Sequence, residues 1–446
     1  MSIFSALNRE QKEAVGLLQI GTFLEYFDLM LYVHMAVLLN DLFFPKADPK
    51  TAGLLTALAF CSTYVLRPFG ALFFGYIGDH IGRKTTVIMT TMMMATSCII
   101  MATLPTYAQI GIAAAWLVTI CRVIQGLSSM GEIIGAEIYV TEITKPPVRY
   151  PAVGLIGCAS RFGTMVALGI AYLVTSFGFD WRNGFWIGAA IAVVGSVART
   201  RLRETPDFVD MKRSVNQALE QAKEHGIGKT EELLKIKEKF QKDTLGWKIL
   251  LAIFLCYSGA PVCLYFSYMH CGSILKNVLG LSPEAIIQQN FIVSAVEFLF
   301  MVLTVYLSYT IHPLKILKFK VCLFLPFLVA FPFVTNDLTS SFVMLLMQCI
   351  SVSLTLTPIP ATAVFMQHMP VFRRFTYASL IYALSRALMA VLTSFGLVFL
   401  TDIMGQWGIY FIMIPVAIGF LWGVSHFEEL EHISKKSAFS KIFKFS

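Results

Sequence analysis

The sequence predicts an all-α membrane protein with twelve transmembrane helices. Apolar stretches of about 20 residues recur along the whole chain, and each could cross a hydrocarbon core of roughly 30 Å as a helix. Hydrophobic residues make up 57% of the 446 residues and charged residues 14%, which is more apolar than a soluble core of this size requires. The sequence does not show the alternating strands of about ten residues that a β-barrel would need.

The predicted spans form two groups of six. Polar residues 8–13 precede span one, and no small-residue cleavage site follows a short apolar core, so we expect no cleaved signal peptide. The spans, in order, cover residues 15–40, 52–78, 85–104, 108–140, 150–177, 183–199, 247–275, 284–310, 315–334, 339–367, 374–401 and 407–426. The predicted domains are the N-terminus 1–14, a six-helix bundle 15–199, a central loop 200–246, a second six-helix bundle 247–426 and a tail 427–446.

The central loop separates the two groups of spans. From Arg199 to Lys248 the chain holds twelve Lys or Arg and nine Asp or Glu residues. Apolar residues at helical spacing predict helices over residues 208–224 and 231–240. We interpret these as surface helices lying on the bundle or at the lipid headgroups. A regulatory or partner-binding segment is the alternative.

Basic residues predict the orientation in the membrane. The loops opposite the N-terminus hold four, which are Lys46, Lys50, Arg182 and Lys276, whereas the loops and tails on the N-terminal side hold many more. Because cytoplasmic loops are enriched in Lys and Arg, both termini and the central loop are predicted to be cytoplasmic. The same bias accounts for most of the net charge of +8, so no nucleic-acid partner is required.

The nine cysteines all lie within predicted spans. They include no CxxC pair and no Cys/His ligand spacing, so we expect apolar packing roles and neither a disulfide scaffold nor a metal site. No cofactor motif, phosphate loop or nucleophile–base constellation is present in the sequence. The sequence therefore does not predict an enzyme.

Several short motifs occur in order through the N-terminal half. They are GTFLEYFD at 21–28, RPFG at 67–70, GYIGDHIGRK at 75–84, RVIQG at 122–126 with GE at 131–132 and GA at 135–136, DWR at 180–182 and ETP at 204–206. Together they resemble the metabolite:H+ symporter family of the major facilitator superfamily, which includes proline/betaine, ketoglutarate and citrate importers. The resemblance implies two pseudo-symmetric six-helix bundles around a cavity that opens alternately to either side. It also implies a bacterial inner-membrane location.

The C-terminal half matches this family less well. Members often repeat the Asp/Gly/Arg turn between spans eight and nine, where this chain has SYTIHPLK at 308–315. The sequence FRRFTYA at 372–378 still resembles the family at the start of span eleven. Because substrate contacts come from both halves, the resemblance supports the fold and leaves the substrate open.

The turn between spans two and three is the candidate cytoplasmic gate. Gly75 and Gly78 are three residues apart and remove side chains where helices approach closely. Asp79 is placed to meet a helix N-terminus or nearby arginines. A turn fixed by charge and topology alone is the alternative. The candidate gating residues are Gly75, Gly78, Asp79, Gly82, Arg83, Arg373 and Arg374.

Ionisable residues at membrane depth are functional candidates because burying a charge there is costly. Five acids and four bases fall within the spans, which suggests internal pairing with one acid in excess. They are Glu25, Asp28, Arg67, Arg122, Glu132, Glu137, Arg161, Glu297 and Arg386.

Asp28 is the first candidate for the proton site. It lies three residues after Glu25 on the same helix face, so simultaneous ionisation of both carboxylates is disfavoured. The superfamily architecture makes Arg122 the expected countercharge, released for an anionic substrate group when the acid is protonated. A static buried salt bridge is the alternative. Glu132 is carried over from the family pattern as proton- or substrate-linked.

Other residues are assigned with less guidance from motifs. Glu137 follows Glu132 by about 500° of helix rotation and is expected near the cytoplasmic end in a structural role. Arg161 and Glu297 could pair across the two halves, while Arg67 and Arg386 would approach the other seam. With Arg161 partly neutralised, Arg386 would give the cavity a cationic wall suited to a carboxylate.

Aromatic residues of span seven could form a cage for a quaternary ammonium, although such residues also pack in cores. They are Tyr257, Tyr265, Phe266 and Tyr268. In the same span Gly259 and Pro261, and in span ten Pro358 and Pro360, interrupt the helices and are predicted hinges.

The sequence therefore predicts proton-driven import of a small solute bearing a carboxylate, either a zwitterion such as proline or betaine or an organic acid. The expected partners are this solute, H+ and the lipid bilayer, with the protein acting as a monomer. A drug or metabolite exporter working by proton antiport is one alternative. A solute sensor without appreciable flux is another.

Overall fold

The computed structural model describes residues 7–35, 39, 42–44, 64–224, 245–336 and 340–432. These residues are almost entirely helical. The helices of the N-terminal half are Arg9–His34, Arg67–His80, Arg83–Thr103, Tyr107–Ile110, Ile112–Ile143, Arg149–Phe177 and Arg182–Arg199, and Pro206–Glu224 follows in the central loop.

The C-terminal half contains helices with two wide turns of π type. Its segments are Trp247–Leu264, the π-turn Tyr265–His270, Cys271–Asn277, Pro283–Leu307, Pro313–Asn336, Ser341–Ser353, Thr362–Gln367, the 3-10 turn Val371–Arg373, Arg374–Val391, the π-turn Leu392–Leu397, Val398–Met404, the 3-10 turn Gly405–Ile409 and Tyr410–Leu430.

Local sequence sets several helix ends. Asn8 and Gln11 exchange side-chain to backbone hydrogen bonds of 2.8 and 3.0 Å at the start of span one. Ser282 accepts a hydrogen bond from the Ala285 amide, and Pro283 occupies the first position of span eight. Span five ends at Gly178, whose φ of +68° is a left-handed conformation that glycine adopts without strain.

The predicted hinges coincide with irregular helices. In span ten the first helix ends at Ser353, and residues 354–361, which include Pro358 and Pro360, separate it from the second helix. In span seven Pro261 lies inside the helix, and the π-turn follows four residues later. In span ten the missing amides of Pro358 and Pro360 remove backbone hydrogen bonds, which accounts for the gap between its two helices.

The described part of the chain contains eight segments that are long and apolar enough to cross a membrane. The other predicted spans are also helical in the part of the chain that the structure describes. Examples are Arg182–Arg199 in span six and Ser341–Ser353 in span ten. The all-α fold with twelve spans is therefore confirmed. The predicted loop helix 208–224 is present as Pro206–Glu224. The predicted helix 231–240 and the loop lysines Lys46 and Lys50 lie outside the described residues.

The two halves pack along two seams. Span five packs on span eight, and span two packs on span eleven. Inside the N-terminal half, span one lies against span five, and span three lies between spans four and six. This arrangement places spans one, four, five, seven, ten and eleven around the centre of the molecule.

Candidate functional site

A small cavity lies between the two halves at the centre of the bundle. Its volume is about 30 Å³, which is room for about two water molecules, so a solute the size of an amino acid requires the halves to move apart. Its walls are formed by Thr22, Tyr26, Ile133, Glu137, Ile156, Gly157, Ser160, Arg161, Tyr257, Ala260, Thr357, Pro358, Ile359, Tyr382 and Arg386.

Two arginines line this cavity in different electrostatic settings. Arg161 of span five lies 3.0 Å from Glu297 of span eight, which is the pair expected across the halves. Arg386 of span eleven has no ion pair among the described residues. Its guanidinium donates to the Tyr26 hydroxyl at 3.2 Å and lies 4.4 Å from the centre of the Tyr382 ring. A cationic group held by tyrosines can accept a carboxylate from a ligand.

Glu137 also lines the cavity, which corrects the prediction of a structural role near the cytoplasmic end. Its side chain is 4% exposed, and its Oε2 atom accepts no hydrogen bond from the residues that the structure describes. The cavity wall is therefore not purely cationic. The Tyr257 hydroxyl in the same cavity is likewise without a hydrogen bond there.

Asp28 and Arg122 meet inside the N-terminal half. The Arg122 Nη1 atom lies 3.5 Å from Asp28 Oδ2 and donates to Gln125 at 2.9 Å. The guanidinium also lies 4.1 Å from the centre of the Tyr32 ring. On the other side, the Cys98 thiol lies 3.6 Å from Asp28 Oδ1. Both charged residues are buried beside the cavity without lining it.

Glu25 pairs with Arg67, a contact that the sequence did not suggest. Their side chains approach to 3.7 Å and are each 2% exposed. Arg67 also lies 4.7 Å from the centre of the Tyr64 ring. Arg67 is therefore held against span one. Arg386 lines the cavity, whereas Arg67 does not.

Glu132 is placed away from the cavity, inside the N-terminal half. It pairs with Arg199 at the end of span six and accepts a hydrogen bond of 3.0 Å from Thr90 and another from Thr91. Arg199 is fully buried and also donates to the Leu18 carbonyl at 3.0 Å. With both of its carboxylate oxygens occupied, Glu132 stabilises the bundle in this conformation. Sequence reasoning missed Arg199 because this last residue of predicted span six was counted with the basic residues of the central loop and not with the charges at membrane depth.

The aromatic residues of span seven do not surround one point. Of the predicted cage, Tyr257 lines the cavity, while Tyr265 is half-buried at the start of the π-turn and does not line it. Tyr268 donates to Glu297 at 2.7 Å and so belongs to the seam between the halves. The ring of Tyr257 meets that of Tyr382 edge to face at 5.5 Å.

The Asp79 turn closes one end of the seam between span two and span eleven. Asp79 accepts hydrogen bonds from the Phe375 amide at 3.0 Å and from the Thr376 amide and hydroxyl at 2.9 and 2.7 Å. These amides lie in the first turn of span eleven, where the helix dipole favours a carboxylate. Arg83 lies 3.3 Å from Asp79 and donates to the Val371 carbonyl at 2.8 Å. Asp79 thus joins span two to span eleven.

The neighbouring glycines permit this close contact. A Cβ atom on Gly75 would lie 2.9 Å from the Thr376 Cα, and one on Gly78 would overlap the Phe375 ring. Gly82 has a φ of +150°, and a Cβ atom there would overlap the Glu204 carboxylate. These positions therefore require glycine in the closed arrangement.

A second set of charges extends the contact into the central loop. Glu142, at the end of span four, lies 2.9 Å from Arg374 and 3.5 Å from Arg83. Arg374 also pairs with Asp207 of the loop helix at 3.2 Å. Sequence reasoning missed Glu142 and Asp207, although their positions at helix ends offered a signal. For Arg373 the structure records no ion pair with a described residue.

The chain is similar in sequence to known membrane transport proteins. A family model described as Major Facilitator Superfamily matches residues 18–394. The chain is 34% identical over 224 residues to the inner membrane metabolite transport protein YhjE of Escherichia coli K12, covering 48% of this chain and 50% of that protein. It is 29% identical over 284 residues to the proline/betaine transporter of Salmonella typhimurium LT2, covering 61% and 54%. The chain spans about half the length of the curated relatives it matches.

A solved structure shares the fold over nearly the whole chain. The proton:xylose symporter XylE, bound to 6-bromo-6-deoxy-D-glucose, superposes with a TM-score of 0.72. The match covers 95% of this chain and 96% of that one at 16% sequence identity. At this identity the likeness establishes the fold alone.

Proposed function

The chain belongs to the major facilitator superfamily, and on that premise we propose that it is a secondary active transporter that imports a small carboxylate-bearing solute together with protons. The observation that carries the proposal is Arg386, which lies in the central cavity without an ion pair among the described residues. Burying a cation without an ion pair is costly, so an anionic ligand group that reaches Arg386 gains a strong charge-assisted contact.

Proton coupling is assigned to span one. Asp28 and Glu25 lie on either side of Tyr26, which accepts the hydrogen bond from Arg386 in the cavity. A proton on Asp28 removes the charge that holds Arg122 and so weakens the contact between spans one and four. Because Tyr26 lies on the same helix segment, this change is transmitted to the solute site. A membrane potential of 100 mV supplies roughly 2.3 kcal/mol per proton to this cycle.

Alternating access requires the two seams to open in turn. In the described conformation the Asp79 and Glu142 contacts hold the cytoplasmic side closed. We propose that solute and proton binding shifts the equilibrium toward release of these contacts, after which the cavity opens to the cytoplasm. The excess of basic residues on the side of the Asp79 turn supports a cytoplasmic location for that turn and for both termini.

Uptake into proteoliposomes tests the proposal. Labelled proline, glycine betaine and a panel of di- and tricarboxylates are supplied with and without an inward proton gradient. We expect gradient-stimulated uptake of at least one solute, loss of the stimulation in Asp28→Asn and loss of uptake in Arg386→Glu. Asp180→Asn is a matched control because this exposed acid is far from the cavity. Unchanged uptake in Arg386→Glu contradicts the assignment of the carboxylate site, and binding without flux favours a sensor.

A further inference from the structure

Among the residues that the structure describes, the carboxylate of Glu137 has no countercharge within bonding distance, although it is buried in the cavity wall. Its Oε2 atom accepts no hydrogen bond in the described structure, and Arg386 is the charged side chain whose field acts on it. Buried carboxylates are usually paired or hydrogen-bonded, because the loss of hydration is otherwise uncompensated. Within the described structure, the Oε2 atom of Glu137 is therefore available to bind a group of a ligand.

Arg386 shows the complementary pattern. Its Nε atom has no hydrogen-bond acceptor among the described residues. Its Nη2 atom donates to the neutral Tyr26 hydroxyl at 3.2 Å. Arg161, in contrast, is compensated by Glu297. The cavity thus presents one acid and one base that line the same space and do not form an ion pair with each other.

Resting on the proposed function, we infer that the transported solute is a zwitterion and that Glu137 binds its cationic nitrogen while Arg386 binds its carboxylate. Tyr257 supports the cationic end, because it lines the same cavity as Glu137 and its ring can face a cation. A dicarboxylate is disfavoured, because its second carboxylate would meet Glu137 and repel it.

This assignment also explains how a solute could act on the conformation. Glu137 belongs to span four in the N-terminal half, and Arg386 belongs to span eleven in the C-terminal half. A zwitterion bound to both bridges the halves through two charge-assisted contacts. A solute with a carboxylate alone engages the C-terminal half and leaves Glu137 unpaired.

A pair of solutes with matched shapes isolates the cationic contact. Glycine betaine and 3,3-dimethylbutanoate differ in that a carbon replaces the nitrogen, and L-proline and cyclopentanecarboxylate form a second pair. Each competes for binding of the labelled zwitterion to the full chain in nanodiscs. We expect each analogue, which keeps the carboxylate and lacks the positive charge, to bind at least about tenfold more weakly than its zwitterion to the wild type.

The variant Glu137→Gln keeps the side-chain shape and removes the charge. We expect it to bind the zwitterion more weakly and to reduce the preference over the analogue to about twofold. Glu284→Gln, at an exposed acid in the first turn of span eight, is the control and is expected to keep the wild-type preference. The comparison within the wild type is independent of whether any variant folds.

The outcomes separate this inference from the proposed function. Equal binding of both members in both pairs overturns it, as does a full preference for the zwitterion in correctly folded Glu137→Gln. Binding of a di- or tricarboxylate with no binding of either zwitterion also overturns it, yet leaves carboxylate import intact. Failure of every carboxylate-bearing solute to bind or be taken up refutes the proposed function itself.

Discussion

Neutralising Asp79 should open the side of the protein on which span two meets span eleven. The substitution Asp79→Asn keeps one of two acceptor oxygens and removes the charge that Arg83 faces at 3.3 Å. The three hydrogen bonds that this carboxylate accepts all come from the first turn of span eleven. They join the two halves, so their loss destabilises the closed arrangement and not the open one.

The magnitude follows from these contacts. An asparagine in the same position loses at least one of the three charge-assisted hydrogen bonds to span eleven and turns the other two into weaker neutral ones. The ion pair with Arg83 lies within the N-terminal half and contributes to both states. At about 1.5 kcal/mol for the lost bond and about as much for the weakening of the other two, the closed state loses about 3 kcal/mol relative to the open state. This corresponds to roughly a hundredfold change in the equilibrium between them. A predominantly closed population should therefore become predominantly open.

Pulsed electron paramagnetic resonance can measure this shift. A non-natural amino acid with a keto group replaces Lys145 and Thr310 and carries the nitroxide label. This labelling leaves the nine native cysteines in place. Both residues are exposed, and the segments that carry them approach each other across the halves through the rings of Tyr150 and His312, 5.5 Å apart. We expect Asp79→Asn to move the distance distribution to longer values.

The control and the refuting result are both defined. Asp180→Asn replaces an exposed acid on the opposite side and should leave the distances as in the wild type. If Asp79→Asn gives the wild-type distribution in the absence and presence of solute, the hydrogen bonds to span eleven do not hold the seam closed. The role assigned to the Asp79 turn would then be wrong.

Three further predictions address other parts of the molecule. Asp28→Asn should abolish stimulation of uptake by the proton gradient while solute binding persists, and parallel flux and binding assays measure this. Glu132→Gln leaves Arg199 buried without its countercharge, so the folded bundle should lose roughly 3–5 kcal/mol of stability, measured as a lower unfolding midpoint. Adding Arg199→Gln should restore part of this loss, and additive losses in the double variant would contradict the pairing. Gly78→Leu should force the Phe375 ring aside and lengthen the same label distances, whereas an unchanged distribution would show that the seam can absorb the side chain.

The sequence was sufficient to predict the all-α fold with twelve membrane spans. A bilayer requires each crossing segment to be apolar and about 20 residues long, so hydropathy along the chain identifies the spans without knowledge of their packing. The glycine pair Gly75 and Gly78 and the acid Asp79 could also be interpreted locally, because a small residue or a carboxylate beside a helix start has the same physical use in many structures. The positions of Pro358 and Pro360 predicted the break in span ten for a similar reason.

The tertiary structure decided which charges share the cavity. The spacing of Glu132 and Glu137 shows that the two lie on different faces of span four, but it does not determine which face points to the centre. That choice depends on the rotation of the helix, which is set by packing against spans one, two and three. Glu132 forms an ion pair with the buried Arg199 inside the N-terminal half. Glu137, on another face of the same helix, lines the cavity together with Arg386. Periodicity gives relative angles within a helix, whereas contacts with neighbouring helices determine the absolute orientation.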